Sequence, residues 1–518
     1  MIYQTRKNMK TRTLKCAIAL MALAATSTVA LAQTSTPAAS TQPPAAQPSA
    51  VEDFLTKSKK PVDWLTLGAD IRLRNEYLNN GITLNSQAAN HEQDYFRFRE
   101  RFWTSISPLP DLSLNARLAG EQRVWMRPSY ASQFGVGQYG LEERYGIVDN
   151  LFVKMDQILG QPLSISIGRQ DIMMGDPLNW WLMAEGTPGD GSWTFFLDSI
   201  RLGYDAKNIN TRFDVIYIYQ NALPDEWIPT IGSSSNNRPP NSASDKPYYL
   251  TEQNEQGVIF YVSNKSIKAT QIDGYFFYKR DSPESAILSP YGTPLGDEAD
   301  IYTIGGKVTG TPAEHWKYSA EGAYQFGNKT DPMVRTPVNL SSTSRDISAF
   351  GVNAKLSYLF KDNLNNQVHL IFEYLSGDDP STTDKDEMFD VLWGRWPRWS
   401  ELYIYSYIYE TGTKIAQLNN IERIGLGWSI DPIKNMNFSA TYNALFSEQK
   451  VPTRAVVSQL PQFSQDGNFR GHYLQTVLKH KFNNHVSGHL WGEFLWMGDY
   501  YTHRDTMTFL RAEVMLTW

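Results

Sequence analysis

The chain has 518 residues, with 54 acidic against 48 basic side chains for a net charge of −6, and aromatics make up 13% of it. That acidic balance argues against nucleic acid as the main partner, and a single cysteine, Cys16, excludes a disulfide scaffold and zinc–thiolate sites. No window beyond the N-terminal segment stays apolar over the roughly 20 residues of a transmembrane helix, which leaves a soluble all-β protein or a membrane barrel.

At the N-terminus Arg6, Lys7, Lys10, Arg12 and Lys15 precede an apolar stretch over residues 17–25 and then Ala30, Leu31 and Ala32. These are the three parts of a cleavable secretory signal, so residues 1–32 are expected to be removed and Gln33 to begin the mature chain. The apolar run is too short to anchor in a bilayer. Lys15 in front of Cys16 argues against lipid attachment, since that signal needs small residues there. Removal takes away five basic and no acidic residues, leaving 43 against 54, a mature charge of −11.

Residues 33–60 form a linker rich in Pro, Ala, Ser and Thr, with Pro37, Pro43, Pro44 and Pro48 and no apolar period. A short periplasmic helix is expected over 51–60. Beyond it, residues 61–518 are expected to be one β-domain.

From Trp64 onward the pattern has period two. Leu65, Leu67, Ala69, Ile71, Leu73 and Tyr77 share one parity, while Thr66, Asp70, Arg72, Arg74 and Glu76 share the other. Leu112, Leu114, Ala116, Leu118, Val124 and Met126 alternate likewise with Asn115, Arg117, Glu121 and Arg123. Such runs extend over about 10 to 14 residues, longer than a globular strand of about 5 to 6 and long enough to cross a bilayer at a tilt. The connections alternate too. Short ones fall at 108–111, 157–162, 206–211, 264–270, 311–314, 361–366, 431–434 and 483–484, and long polar ones at 221–255, 328–345, 377–417 and 449–468. Short turns on one rim and long loops on the other are the habit of bacterial barrels. The fold class expected is therefore all-β, a transmembrane antiparallel barrel of roughly 18 strands, with short periplasmic turns and long extracellular loops. Segment 402–409, with Tyr403, Tyr405, Tyr407 and Tyr409 on one parity, is expected to be a β-hairpin within a long external loop.

The last strand carries Leu510, Ala512, Val514, Leu516 and Trp518 on one parity and Arg511 and Glu513 on the other. A terminal aromatic after such alternation resembles the signal read by barrel-assembly machinery. Location in the outer membrane of a Gram-negative bacterium, among its lipid and lipopolysaccharide, follows.

If the apolar parity faces lipid, the charged parity faces the lumen, and it is rich in arginine. Arg72 and Arg74 lie on the first strand, Arg97, Arg99 and Arg101 on the second, Arg117, Arg123 and Arg127 on the third, and Arg201 and Arg212 further on. Guanidinium stays charged at physiological pH and offers a planar fork to carboxylates. Two readings stay open. Facing arginines make a path for anions, or they pair across strands with Asp70, Glu76, Glu121 and Asp205. For Arg97, Arg99 and Arg101 too few acids stand nearby in sequence to neutralise the run. Glu100 and Arg169 break the pattern by falling on apolar parities, which a bulge or a strand end above the membrane would explain.

Gly168, Arg169, Gln170 and Asp171, followed by Gly175, Asp176, Asn179, Trp180 and Trp181 and then by Asp198, Ser199, Ile200, Arg201 and Leu202, form a recognisable layout. It resembles the alginate export family, in which a Gly-Arg-Gln strand end, a Trp-bearing loop and a later Phe-Asp-x-x-Arg strand recur. Here Leu197 separates Phe196 from Asp198. The family motif positions carried over are Gly168, Arg169, Gln170, Asp198 and Arg201. The resemblance implies an outer-membrane channel passing an anionic polysaccharide, alginate or a related polyuronate, with no cofactor.

A porin for small organic acids shares the fold and is the main alternative; a plugged, structural or adhesive barrel is another. An outer-membrane hydrolase fits less well, because His472, His480, His485, His489 and His503 fall on both parities with no Gly-x-Ser-x-Gly or His-Glu-x-x-His sequence. Asp378, Asp379, Asp384, Asp386 and Glu387 lack EF-hand spacing and are expected to make a solvated acidic loop rather than a metal site. Gly135, Gly137 and Gly140 have neither the lysine nor the helix of a phosphate cradle.

Overall fold

The computed structural model describes residues 50–127, 141–174, 183–184, 195–223, 228, 250–288, 292, 294–334, 340–394, 399–407, 410–411, 418–452 and 460–518. After a helix, α1 (Ala50–Lys59), the chain forms eighteen long strands. They are β1 (Leu65–Asn79), β2 (Glu92–Leu109), β3 (Leu112–Arg127), β4 (Leu141–Met155), β5 (Leu163–Gln170) and β6 (Leu197–Ala206). Next come β7 (Thr211–Gln220), β8 (Gln253–Asn264), β9 (Thr270–Pro283), β10 (Glu298–Ala313), β11 (Trp316–Thr330) and β12 (Arg345–Leu359). The last are β13 (Gln367–Leu375), β14 (Ile421–Ile430), β15 (Met436–Phe446), β16 (Phe469–Lys481), β17 (Val486–Met497) and β18 (Thr506–Thr517).

Each strand pairs antiparallel with the next, and β18 returns to β1 with Leu516 opposite Ile71 and Glu513 opposite Arg74. The barrel is closed, so no strand edge is left to seek a partner. The seam is completed beyond the strand by Trp518, whose amide donates to Ala69 O at 2.8 Å. Both ends of the barrel domain and all the short turns lie on one rim. There α1 is held by Glu52 Oε2, 3.0 Å from His485 Nε2, and by Trp518 Nε1 donating to Ser58 Oγ at 3.1 Å.

Burial is inverted relative to a water-soluble protein. Outward positions hold exposed Ile71, Phe102, Phe260, Ile304, Leu370 and Leu426, whereas Arg97, Glu121, Lys279 and Glu321 on the inward parity are buried. An apolar outside and a charged inside are what a bilayer selects, because lipid cannot solvate the polar parity. The wall is flanked by stacked aromatics, such as Tyr278, Tyr302 and Phe326.

The connection between β13 and β14, residues 376–420, corrects the expected external hairpin. It enters the barrel, and Leu402–Ser406 is a helix, α2. Phe389, Val391, Leu392, Trp393, Leu402, Tyr403 and Tyr407 of this connection are buried against inward residues of the wall such as Ile259, Phe277, Ile347 and Leu445. The alternating tyrosines mimic a strand, but Tyr403 and Tyr407 are also one helical turn apart, and their rings meet at 5.3 Å. Wall chemistry decides for the helix. Glu493 of β17 accepts the Glu401 and Leu402 amides at 2.9 and 2.7 Å, satisfying donors that a helix start leaves open.

The acidic stretch of this connection is a solvated loop only in part, with Asp384 exposed. Asp378 and Asp386 are buried on Arg345, at 2.9 and 3.1 Å. Burial and the neighbouring Asp386 push the Asp378 carboxyl well above the usual carboxylate range, against the pull of Arg345.

Candidate functional site

The site is the lumenal wall made by β18, β1, β2 and β3. Their long alternating segments aim one parity inward, and on it stand Arg511, Arg72, Arg74, Arg97, Arg99, Arg101, Arg117 and Arg123. The same parity carries Asp70, Glu76, Glu121 and Glu513. Eight guanidiniums thus face four carboxylates on these four strands, and Asp149, Asp171 and Glu401 reach Arg117 and Arg511 from neighbouring segments, which leaves an excess of one positive charge in a chain that is acidic overall.

The pairing corrects the expectation that Arg97, Arg99 and Arg101 lack acids. Register, not sequence distance, supplies them. Arg97 reaches Glu76 at 3.2 Å and Glu121 at 2.7 Å, Arg99 reaches Asp70 at 3.1 Å, and Arg101 reaches the other oxygen of Asp70 at 2.7 Å. Arg123 bonds Glu121 at 3.1 Å, Arg72 lies 3.8 Å from it, and Arg74 bonds Glu513. Arg511 joins Glu76 at 2.9 Å. Neighbouring arginines share carboxylates, so the wall is cross-linked yet keeps its positive excess.

Accessibility divides the set. The Arg97 side chain is 0% exposed, while Arg101 and Arg117 retain 13% and 14%. These two border a cavity of about 290 Å³, also lined by Trp103, Ser105, Asn115, Asn150 and Phe152. Arg117 is held by Asp149 at 2.8 Å and by Asp171 at 2.8 Å. A register shift between Arg117 and Leu118 opposite β4 lets adjacent Asp149 and Asn150 both be buried beside it.

The family-motif positions form a second cluster. Gly168 has φ +127°, a conformation reserved for glycine, and a Cβ there would collide with the Leu151 carbonyl oxygen. Pairing runs unshifted through Gly168, so Arg169 keeps its parity opposite Asp198 and is nevertheless buried. Arg169 grips Asp198 with two nitrogens, at 2.9 and 3.2 Å, and lies 3.9 Å from the Phe196 ring centre. Gln170 accepts from Ser166 Oγ at 2.6 Å and donates to Ser199 O at 3.2 Å. Arg201 turns instead to Asp214 at 2.8 Å. Leu197 does not disrupt the grip, since Phe196 and Asp198 both still reach Arg169. We expect Gly168→Ala to lower the melting temperature of the barrel in detergent, a strain of about 1 to 3 kcal/mol; an unchanged melting curve would show the strand end to be dispensable.

The other exceptions also resolve. Glu100 stays on the outer face, where Gln122 donates to it at 2.6 Å. Arg127 pairs with Glu92 beyond a register shift in β2, and Arg212 pairs with Asp205 at 2.9 Å and Asp214 at 2.8 Å. The histidines do not converge. His472 meets Tyr442, His485 meets Glu52, and His489 meets Glu513. Trp180, Trp181 and the glycines 135, 137 and 140 lie outside the described residues.

Sequence reasoning missed the wall groups that hold the inserted connection. Arg511 contacts Glu401 at 3.1 Å, Arg470 grips Glu410 at 2.6 and 2.7 Å, and Glu493 receives α2. A signal existed for Arg470. Like Arg169 it adjoins a strand-end glycine of positive φ, Gly471 at +141°.

In sequence, the alginate export family matches residues 63–514, nearly the whole barrel. The chain belongs to the alginate export family. No curated protein matches it in sequence. Among solved structures, OccAB2 of Acinetobacter baumannii superposes with a TM-score of 0.48 at 10% identity, covering 87% of this chain and 98% of that one. OccK2 (OpdF) of Pseudomonas aeruginosa in complex with glucuronate does so with 0.48 at 9% identity, covering 87% and 97%. As an alginate export family barrel the protein is an outer-membrane channel, and family and fold together indicate transport rather than catalysis. Its short-turn rim is then the periplasmic one.

Proposed function

We propose that the cargo of this channel is an anionic polysaccharide, alginate or a related polyuronate, met by the partly exposed Arg101, Arg117 and Arg201, with the buried Arg72, Arg74, Arg97, Arg99 and Arg123 contributing their charge from within the wall. The observation that carries this reading is the excess of guanidinium over carboxylate on β18, β1, β2 and β3. A carboxylate approaching such a wall finds net positive charge in a low-dielectric surround, where local charge outweighs the total. Residues 1–32 act as the secretory signal, and the C-terminal strand presents Trp518 to barrel-assembly machinery. Lipopolysaccharide surrounds the extracellular half.

The test is current block in planar bilayers. The open channel prefers chloride to potassium across a salt gradient, and polyuronate blocks at far lower concentration than its monomer, because a polymer engages many cations at once. The double variant R101Q/R117Q weakens the block by polymer more than that by monomer. Each partly exposed pair contributes only about 0 to 1 kcal/mol, so the pair is replaced together. Equal block by polymer and monomer in the wild type favours a porin for small organic acids.

A further inference from the structure

At the periplasmic mouth, β15 to β18 enclose a second cavity of about 430 Å³, lined by Asn437, Lys479, Lys481, Ser487, His489 and Glu513 among others. Its acids are already engaged. Asp431 accepts from Asn365 at 2.8 Å and Asn437 at 2.7 Å, and Glu513 is held by Arg74 and by His489 Nδ1 at 3.3 Å. Lys479 and Lys481 are exposed, and among the described residues neither ammonium has a carboxylate within 4.0 Å. The buried Nε2 of His489 likewise makes no hydrogen bond among the described residues. The cavity therefore presents two lysines with no ion-pair partner among the described residues, beside one carboxylate, Asp431, that only neutral amides hold.

Strand register joins the two. Lys479 stands opposite His489, His489 opposite Glu513, Glu513 opposite Arg74, Arg74 opposite Arg97, and Arg97 opposite Arg123. Barrel strands are tilted, so a row of opposed residues climbs as it passes around the wall. Lys479 lies at the periplasmic end of β16 and Arg123 towards the extracellular end of β3. Every inward residue of this row is cationic or imidazole except Glu513. From these observations we infer that the Lys479–Lys481 cavity is a loading site for carboxylate-bearing sugars, the foot of a cationic ramp leading to the arginine wall. This rests on the channel reading above and adds its entrance.

The direct test is calorimetric titration of the whole barrel in detergent with a uronate trimer and with a neutral trisaccharide. Expected is binding of the uronate only, at least fivefold weaker in K479Q/K481Q and restored in K479R/K481R. In bilayers holding one orientation, the glutamine pair weakens block by uronate added on the periplasmic side and leaves block from the extracellular side unchanged. Absence of uronate binding to the wild type, or equal binding by the glutamine pair, overturns the loading site. If the glutamine pair behaves as wild type while polymer still blocks better than monomer, only the loading site falls. Should polymer and monomer block alike, the polysaccharide reading falls, and the titration still decides the loading site.

Discussion

Replacing residues 388–411 by a short Gly-Ser linker is expected to raise the single-channel conductance several-fold while the barrel still assembles. In the intact protein this segment carries Phe389, Val391, Trp393, Leu402, Tyr403 and Tyr407 into the lumen, where all are buried. Dry aromatic side chains at that depth narrow the space open to ions. The barrel does not depend on them for closure, because its backbone hydrogen bonds run from strand to strand through β18 and β1. Wall residues that the segment covers, such as Ile347 and Leu445, would then meet water, so some loss of thermal stability accompanies the gain in current. The tethers give a milder version. E401Q/E410Q removes the acids gripped by Arg511 and Arg470, and frequent opening to a higher conductance level is expected. Conductance unchanged by the deletion would show that the ion path avoids the inserted segment.

The largest effect on stability is expected from Arg97→Ala. Arg97, Glu76 and Glu121 are all fully buried side chains, and deleting the shared cation takes one partner from each of two buried carboxylates. Breaking a buried pair in this way costs about 3 to 5 kcal/mol, measured as a lower midpoint in urea unfolding from lipid vesicles. Arg511 and Arg123 still touch these acids, at 2.9 and 3.1 Å, and so limit the loss. Arg212→Ala is the control. Its side chain is 35% exposed, and a change within about 1 kcal/mol is expected there. If both variants unfold alike, the arginine wall is solvated and contributes nothing as a cross-linked network.

Alternation and loop lengths made the barrel legible without coordinates. A period of two has only one structural meaning, and a face rich in Leu, Ile and Tyr over more than ten residues, as on β1, needs lipid or a second sheet to cover it. Short turns alternating with long loops chose lipid, and the strand count and the inward arginines followed from the same parity. What the sequence could not contain was which strands face which. Arg97 is separated from Glu76 by 21 positions and from Glu121 by 24, so its acids are invisible along the chain and adjacent only in register. The same limit hid α2, because alternating tyrosines at 403, 405 and 407 satisfy both periods over so short a run. Glu493, far along the chain, settles that choice by accepting its first amides. Arg169 shows the remaining kind of gap. Its parity placed it toward lipid, and only the fold shows it buried on that parity against Asp198 and Phe196. Local pattern therefore determined the barrel, its faces and its rims. Long-range register and the insertion of one loop decided which charges are paired, which stay open at the periplasmic mouth, and what fills the lumen.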